Sequence, residues 1–78
     1  MKMGKEKEEK HWHHRKPKSL GGSNKDENLF LVKATKHDAW HRLFKNFDAV
    51  TICSIINEKW LDPEYEFICL PKGYKEED

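Results

Sequence analysis

The 78-residue chain is predicted to form a small α+β fold: a two-stranded hairpin, two helices and a short final strand. Two short segments of strand composition flank a loop rich in Gly, Ser and Asn, and the following segments place apolar residues at helical spacing. Charged residues make up 37% of the chain and apolar residues 36%. Because so short a chain buries little apolar surface, we expect a bound metal or a partner subunit to help stabilise it.

The hairpin accounts for the first elements of the fold. The segment from Lys10 to Arg15 is predicted to be a strand that ends near Pro17, since proline cannot donate to a strand ladder. Leu29–Ala34 is predicted to be the second strand, because it is rich in β-branched and aromatic residues. The loop between them is about a dozen residues long, and long loops in small domains are often functional.

The helices follow the hairpin. Thr35 is expected to be the N-cap of the first helix, with Asp38 at the capping-box spacing. The apolar face of this helix is expected to form a core from Trp40, Leu43, Phe44 and Phe47. Asp48 is expected to cap a second helix that ends before Pro63, and 65–70 is expected to be the final strand.

These elements predict four regions along the chain. Residues 1–9 lack apolar periodicity and are expected to be a disordered lead-in. Residues 10–47 are expected to form the core, 48–71 a helix and strand packed on that core, and 72–78 a charged tail.

Several classes of protein are excluded by composition. The longest apolar runs span four residues, as in Leu29–Val32, whereas a membrane span needs about 20. The N-terminus has no apolar segment typical of a signal peptide. The cysteines, Cys53 and Cys69, form neither a disulfide framework nor a C-x-x-C pair, so we interpret them as reduced thiols in a core. We therefore expect a cytoplasmic protein that contacts no membrane.

Charge is distributed unevenly along the chain. Residues 1–20 carry a net charge of +4, residues 21–57 carry +1 and residues 58–78 carry −4. A basic first half followed by an acidic end is compatible with an N-terminal region that faces nucleic acid.

The five histidines form two groups that suggest a metal site. His11, His13 and His14 lie in the first strand, and His37 and His41 lie four residues apart on one face of the first helix. If the hairpin packs against this helix, three imidazoles can surround one divalent cation. Such nitrogen ligands favour zinc, nickel or manganese over magnesium. Four basic residues flank the site and can hold backbone phosphates: Lys16, Lys18, Lys36 and Arg42.

The stretch HHRKPKSLGGSNKDENLFLVKATKHDAWH resembles the motif of HNH endonucleases, also called ββα-metal or His-Me finger nucleases. In that motif a His pair ends the first strand, a loop with Pro and Gly-Gly follows, Asn-Leu opens the second strand, and two histidines stand four apart on the helix. The pattern is most similar to colicin-type and phage HNH nucleases. The resemblance spans about residues 12–41.

The resemblance implies a role for each matching residue. His13, His37 and His41 would bind one divalent metal ion (zinc, nickel, manganese or magnesium), and His14 would be the general base that activates water. Asn28 would hydrogen-bond to the loop backbone and thereby orient His14. The tight turns of the loop, which require positive φ, would be supplied by Gly21 and Gly22.

The chain also departs from the family. Most HNH proteins carry C-x-x-C pairs that hold a structural zinc, and this chain has none. Neighbouring strand residues point to opposite faces, so His13 and His14 can share one site only if the strand twists or ends between them. His11 alternates with His13 and becomes a ligand if the register shifts, but we interpret it as a solvated side chain.

The sequence thus predicts a metal-dependent endonuclease that hydrolyses phosphodiester bonds in DNA, by nicking or by cleavage of low sequence specificity. One alternative is a non-catalytic nucleic-acid-binding module whose histidines hold a structural zinc. Another is an HNH subunit that is active only in a larger phage, bacterial or mobile-element assembly. A homodimer is a further option, because the apolar C-terminal half offers a contact surface.

Overall fold

The computed structural model describes residues 8–75. Most of the predicted lead-in, residues 1–7, and the end of the predicted tail, residues 76–78, lie outside the described residues. The chain divides into two compact units between Phe47 and Asp48. In the described part of the chain, every helix is too short or too polar to cross a bilayer.

The first unit is an antiparallel hairpin followed by a helix. Strand β1 spans Lys10–His14 and strand β2 spans Leu29–Lys33. His11 lies opposite Val32 and His13 lies opposite Phe30, so all four side chains belong to one face of the hairpin. Trp12, between the two histidines, therefore points to the other face and is 60% exposed.

Helix α1 spans Ala34–Phe44 and begins directly after β2 without a loop. The expectation that Thr35 caps this helix is wrong. The N-cap is Lys33, which makes no side-chain capping bond, and the Ala34 N–H donates to the Glu9 carbonyl at 2.8 Å. The residue before β1 thus satisfies one of the backbone donors that the first turn of a helix leaves without an intrahelical partner.

The core of this unit is smaller than the helical spacing predicts. Phe44 is the one buried side chain among residues 8–75, and the Trp40 ring packs on it with ring centroids 4.6 Å apart. Leu43 and Phe47, expected in the core, are 45% and 37% exposed. Few apolar contacts therefore stabilise the hairpin against the helix.

The second unit begins with helix α2, Ala49–Ile55, which continues as a π-helical turn over Ile56–Trp60. The predicted cap is confirmed, because the Asp48 carboxylate accepts a hydrogen bond from the Thr51 N–H at 2.9 Å. The Thr51 side chain and this backbone N–H, both hydrogen-bonded to the carboxylate, lower the pKa of Asp48. The helical segment ends before Pro63, as predicted.

The predicted strand over residues 65–70 is wrong. This segment is irregular, and the Asn57 side chain satisfies part of its backbone. The Asn57 amide donates to the Phe67 carbonyl at 2.9 Å and accepts from the Phe67 N–H at 2.8 Å. Cys53 and Cys69 are both free and half-buried.

Candidate metal centre

Three histidines from two elements of the first unit converge. His13 extends from β1, while His37 and His41 lie one turn apart on α1. Each offers a ring nitrogen, and the three nitrogens lie within 4.8 Å of one another. The ring centroid of His13 is 5.4 Å from that of His37 and 6.2 Å from that of His41. The structure thus brings together the three residues that the sequence predicts as metal ligands.

The spacing of these nitrogens suits a transition-metal ion. Nε2 of His37 and Nε2 of His41 are 3.0 Å apart. Two imidazole nitrogens bound tetrahedrally to one zinc ion at about 2.0–2.1 Å are separated by about 3.3 Å. The helical pair therefore needs almost no rearrangement. A separation of 4.8 Å exceeds the limit of about 4.2 Å for two bonds of that length, so His13 must approach by about 0.6 Å at least and by about 1.5 Å for tetrahedral geometry.

The outward-facing nitrogen of His41 also has a hydrogen-bond partner. Nδ1 of His41 lies 3.3 Å from the Lys45 carbonyl oxygen, which can only accept, so Nδ1 carries the proton and Nε2 keeps its lone pair. Lys45 has φ of +48°, and it is the only non-glycine with positive φ among the described residues. This backbone conformation ends α1 at Lys45, the residue whose carbonyl contacts His41.

His11 joins the cluster, although the sequence analysis interprets it as solvated. Its Nδ1 is 3.2 Å from Nδ1 of His37, and the two rings meet edge to face with centroids 5.3 Å apart. The sequence carried a signal for this position, because residues 11 and 13 alternate along a strand and therefore share a face.

Electrostatics favour the neutral imidazole at two of the ligands, His13 and His37. Partial burial lowers the pKa of His13, and the neighbouring His37 and His41 lower it further. Burial also lowers the pKa of His37, with additional contributions from His41 and His11, while Asp38 opposes the shift. A neutral ring keeps the lone pair that a metal needs, so protons compete less for these nitrogens than for ordinary histidines.

Two hollows border the cluster. The smaller, of about 250 Å³, is lined by His13, Val32, Lys36, His37 and Trp40. The larger, of about 600 Å³, also reaches His13 and Trp40, but its two acidic residues, Asp26 and Glu27, outnumber its one cation, Arg15. A phosphate is therefore better accommodated in the smaller hollow. Apart from the two histidines, Lys36 is the one ionisable side chain in its lining, and it is a cation.

His14 is the last residue of β1, and strand alternation directs its side chain to the face opposite His13. Its Nε2 lies 2.8 Å from the side-chain oxygen of Asn24, which accepts the Nε2 proton. Nδ1 of this tautomer carries a lone pair. Asn24 is not among the residues predicted from the sequence, and its only signal is its place in the Gly-Gly-Ser-Asn loop.

Asn28 holds the backbone of the long loop. Its side-chain oxygen accepts from the Lys16 N–H at 2.7 Å. Its amide donates to the carbonyls of Lys16 at 3.1 Å and Ser23 at 2.8 Å. Because Ser23 precedes Asn24, Asn28 acts on His14 indirectly, by fixing the loop segment that carries the direct partner.

The two loop glycines are required for different reasons. Gly21 has φ of +90°, as the resemblance implies, and its N–H donates to the Lys18 carbonyl at 2.9 Å. The expectation of positive φ at Gly22 is wrong. A Cβ at Gly22 would lie 1.8 Å from the Lys16 carbonyl oxygen, so this position requires glycine because the backbone approaches closely.

The four basic residues predicted to hold phosphates are all exposed. Lys36 borders the smaller hollow beside His13 and His37. Lys16 lies in the loop held by Asn28, Lys18 begins the short 3₁₀ turn before Gly21, and Arg42 follows His41 on α1.

Comparison with known proteins adds no further assignment. No protein-family model matches the chain, and no curated protein or solved structure matches it either.

Proposed function

We propose that the chain is a metal-dependent endonuclease of the HNH type that hydrolyses phosphodiester bonds in DNA. The observation that carries this proposal is the convergence of His13, His37 and His41 at the junction of a hairpin and a helix. Two of these residues stand four apart on the helix and the third comes from the first strand, the order that the HNH resemblance implies.

The donor set supports a divalent metal as the cofactor. Three neutral imidazoles fit zinc, nickel or manganese better than magnesium, which prefers oxygen ligands. When bound, such an ion supplies Lewis-acid stabilisation of the negative charge that develops on a phosphate during hydrolysis. His13, His37 and His41 are the residues that would hold it.

Proton transfer is assigned to His14. Strand alternation directs the His14 ring away from the face of His13, so this role requires β1 to twist at His14, its last residue. The Nδ1 lone pair would then take a proton from the attacking water, while the bond from Nε2 to Asn24 fixes the ring and its tautomer. Asn28 contributes by holding Lys16 and Ser23, the loop backbone on either side of the turn. His14 bonds Asn24 and none of the three candidate ligands, so its orientation would serve no purpose in a purely structural metal site.

Charge supports a nucleic-acid substrate. Residues 10–47 contain nine Lys or Arg and three Asp or Glu, a net charge of +6, whereas the whole chain carries +1. This excess attracts a polyanion without reading its sequence. With contacts made mainly to phosphates, we expect low sequence specificity.

Plasmid nicking tests the proposal. The native chain is assayed with Mg²⁺, Mn²⁺, Ni²⁺ or Zn²⁺, beside His14→Ala and His37→Ala. We expect His14→Ala to lower the cleavage rate by about 10²–10⁴-fold, the usual contribution of a general base, with metal affinity retained. His37→Ala should lose both. If the native chain cleaves with none of these ions while zinc raises its melting temperature, the site is structural and the nuclease proposal is wrong.

A matched pair of lysine variants tests the phosphate contact. Lys36→Ala removes the cation beside the smaller hollow, whereas Lys59→Ala removes an exposed cation from the second unit. We expect Lys36→Ala to raise the DNA concentration needed for half-maximal cleavage more than Lys59→Ala does. Equal effects would show that only overall charge matters.

A further inference from the structure

His11 occupies a position beside the candidate ligands that the proposed function leaves unexplained. The two ring nitrogens of His37 face different neighbours: Nε2 lies 3.0 Å from His41, and Nδ1 lies 3.2 Å from Nδ1 of His11. Since these nitrogens lie on opposite edges of the imidazole, His11 contacts the edge that faces away from the site of the ion.

This placement determines which tautomer supports ligation. To bind a metal through Nε2, a neutral His37 must carry its proton on Nδ1, and that N–H needs an acceptor. Among the described residues, His11 is the only hydrogen-bond partner of that nitrogen. When Nδ1 of His11 accepts this proton, the His11 proton lies on Nε2, which is 3.5 Å from the Glu9 carboxylate.

We propose that His11, supported by Glu9, is a positioning residue that holds His37 in the tautomer and orientation needed for metal binding. The inference rests on the metal site of the proposed function but not on nuclease chemistry. Ligating histidines usually donate their second N–H to a carboxylate or carbonyl. Here an imidazole connects the ligand to the carboxylate.

The other helical ligand provides a parallel within the same unit. Nδ1 of His41 donates to the Lys45 carbonyl and thereby leaves Nε2 free. Both helical histidines thus have a partner at Nδ1 and face each other through Nε2. This shared orientation is what two ligands of one ion require, and without an ion the two Nε2 atoms are close enough to share one proton in a hydrogen bond.

The experiment separates hydrogen bonding from ring packing. His11→Phe keeps an aromatic ring but removes the acceptor, whereas His11→Asn loses the ring but places a carbonyl oxygen where Nδ1 stood. Affinity is measured by competition between each full-length chain and a chelator, with Co²⁺ absorption as the readout. We expect His11→Phe to weaken binding by about 10–100-fold and His11→Asn to bind close to the native affinity.

Two further measurements complete the test. In nitrogen-15 spectra of the zinc-bound chains, the Nδ1–H proton of His37 should exchange slowly in the native and His11→Asn chains and rapidly in His11→Phe. Should His11→Phe fail to fold, Glu9→Gln serves, since the Glu9 side chain is largely exposed. Its control is Glu8→Gln, which removes a carboxylate that pairs with Lys33 instead. Affinity should fall for Glu9→Gln and not for the control.

The outcomes distinguish this inference from the nuclease proposal. A chain that cleaves no DNA but shows the expected affinity order retains the positioning role of His11 and loses the nuclease assignment. Native affinity in His11→Phe, or a larger loss in His11→Asn than in His11→Phe, overturns the positioning role whether or not DNA is cleaved. A native chain that binds no metal overturns both.

Discussion

Metal binding should stabilise the first unit strongly, because the hairpin and α1 share so small a core. Phe44 is the one side chain buried in the part of the chain that the structure describes. Burying a phenylalanine contributes about 1.5–3 kcal/mol. An ion held by His13 on β1 and by His37 and His41 on α1 would join the same two elements directly.

The expected size of this effect follows from linkage. A ligand that binds only the folded chain stabilises it by about 2.7 kcal/mol at 100 times its Kd and by about 4.1 kcal/mol at 1,000 times. In a domain of 60–100 residues, 1 kcal/mol shifts the melting temperature by about 4–8 °C. Zinc at 100 times its Kd should therefore raise the melting temperature by roughly 10–20 °C.

Trp40 provides a local probe, since its ring lies 5.6 Å from that of His13. Replacing Trp12 and Trp60 by Phe leaves Trp40 as the only fluorophore of its kind, and both replaced side chains are about 60% exposed. Melting of this chain is followed by Trp40 fluorescence, in reducing buffer, with zinc or with a chelator.

The controls separate ligands from their neighbours. His14→Ala keeps the three predicted ligands and should keep the shift in melting temperature, whereas His37→Ala should lose most of it. The reasoning is refuted if zinc leaves the native melting temperature unchanged. It is also refuted if His37→Ala shows the native shift, because zinc would then bind elsewhere.

Two other predictions concern the metal-free chain. The folded-state pKa values of His13 and His37 lie below the ordinary value of about 6.5, so between the two values the unfolded chain binds more protons. The free energy of unfolding of the metal-free chain should thus fall as the pH drops below about 6.5 and should level off above it. Urea unfolding at several pH values measures this dependence. A flat or opposite dependence contradicts the prediction. Lys45→Gly should raise the free energy of unfolding by about 1 kcal/mol, because glycine adopts φ of +48° with less strain. Chelator competition should show unchanged metal affinity, since the carbonyl that contacts His41 is retained.

Local sequence signals were sufficient to predict the elements of the first unit. Strand composition on either side of a turn-rich loop indicated the hairpin, and the spacing of His37 and His41 placed both on one helix face. The convergence of His13 with that pair required only that the hairpin lie against the helix. Each of these predictions depends on geometry between residues close together in the sequence, which spacing and composition determine.

The errors arose where an element depends on a distant partner. The segment over residues 65–70 has strand composition but pairs with no strand in the described region, and the Asn57 side chain takes part of a partner's role. Thr35 has the composition of a cap, but the Glu9 carbonyl, 25 residues earlier in the chain than Ala34, meets the helix N-terminus instead. Tertiary hydrogen bonds replaced the local ones in both places.

The junction of β1 and α1 places the four clustered histidines at matching heights along the two elements. The hydrogen bond from Ala34 to Glu9 aligns the start of α1 with the start of β1. From there, β1 advances about 3.3 Å per residue and α1 about 1.5 Å. His11 and His37 therefore lie about 7 and 5 Å from the junction, and the other two, His13 and His41, about 13 and 11 Å. Two residues of strand thus advance nearly as far as three residues of helix, which brings His11 level with His37. Four residues of strand advance nearly as far as seven of helix, which brings His13 level with His41. A one-residue slip of β1 would turn both strand histidines to the opposite face, so this junction specifies the site as strictly as the histidines themselves.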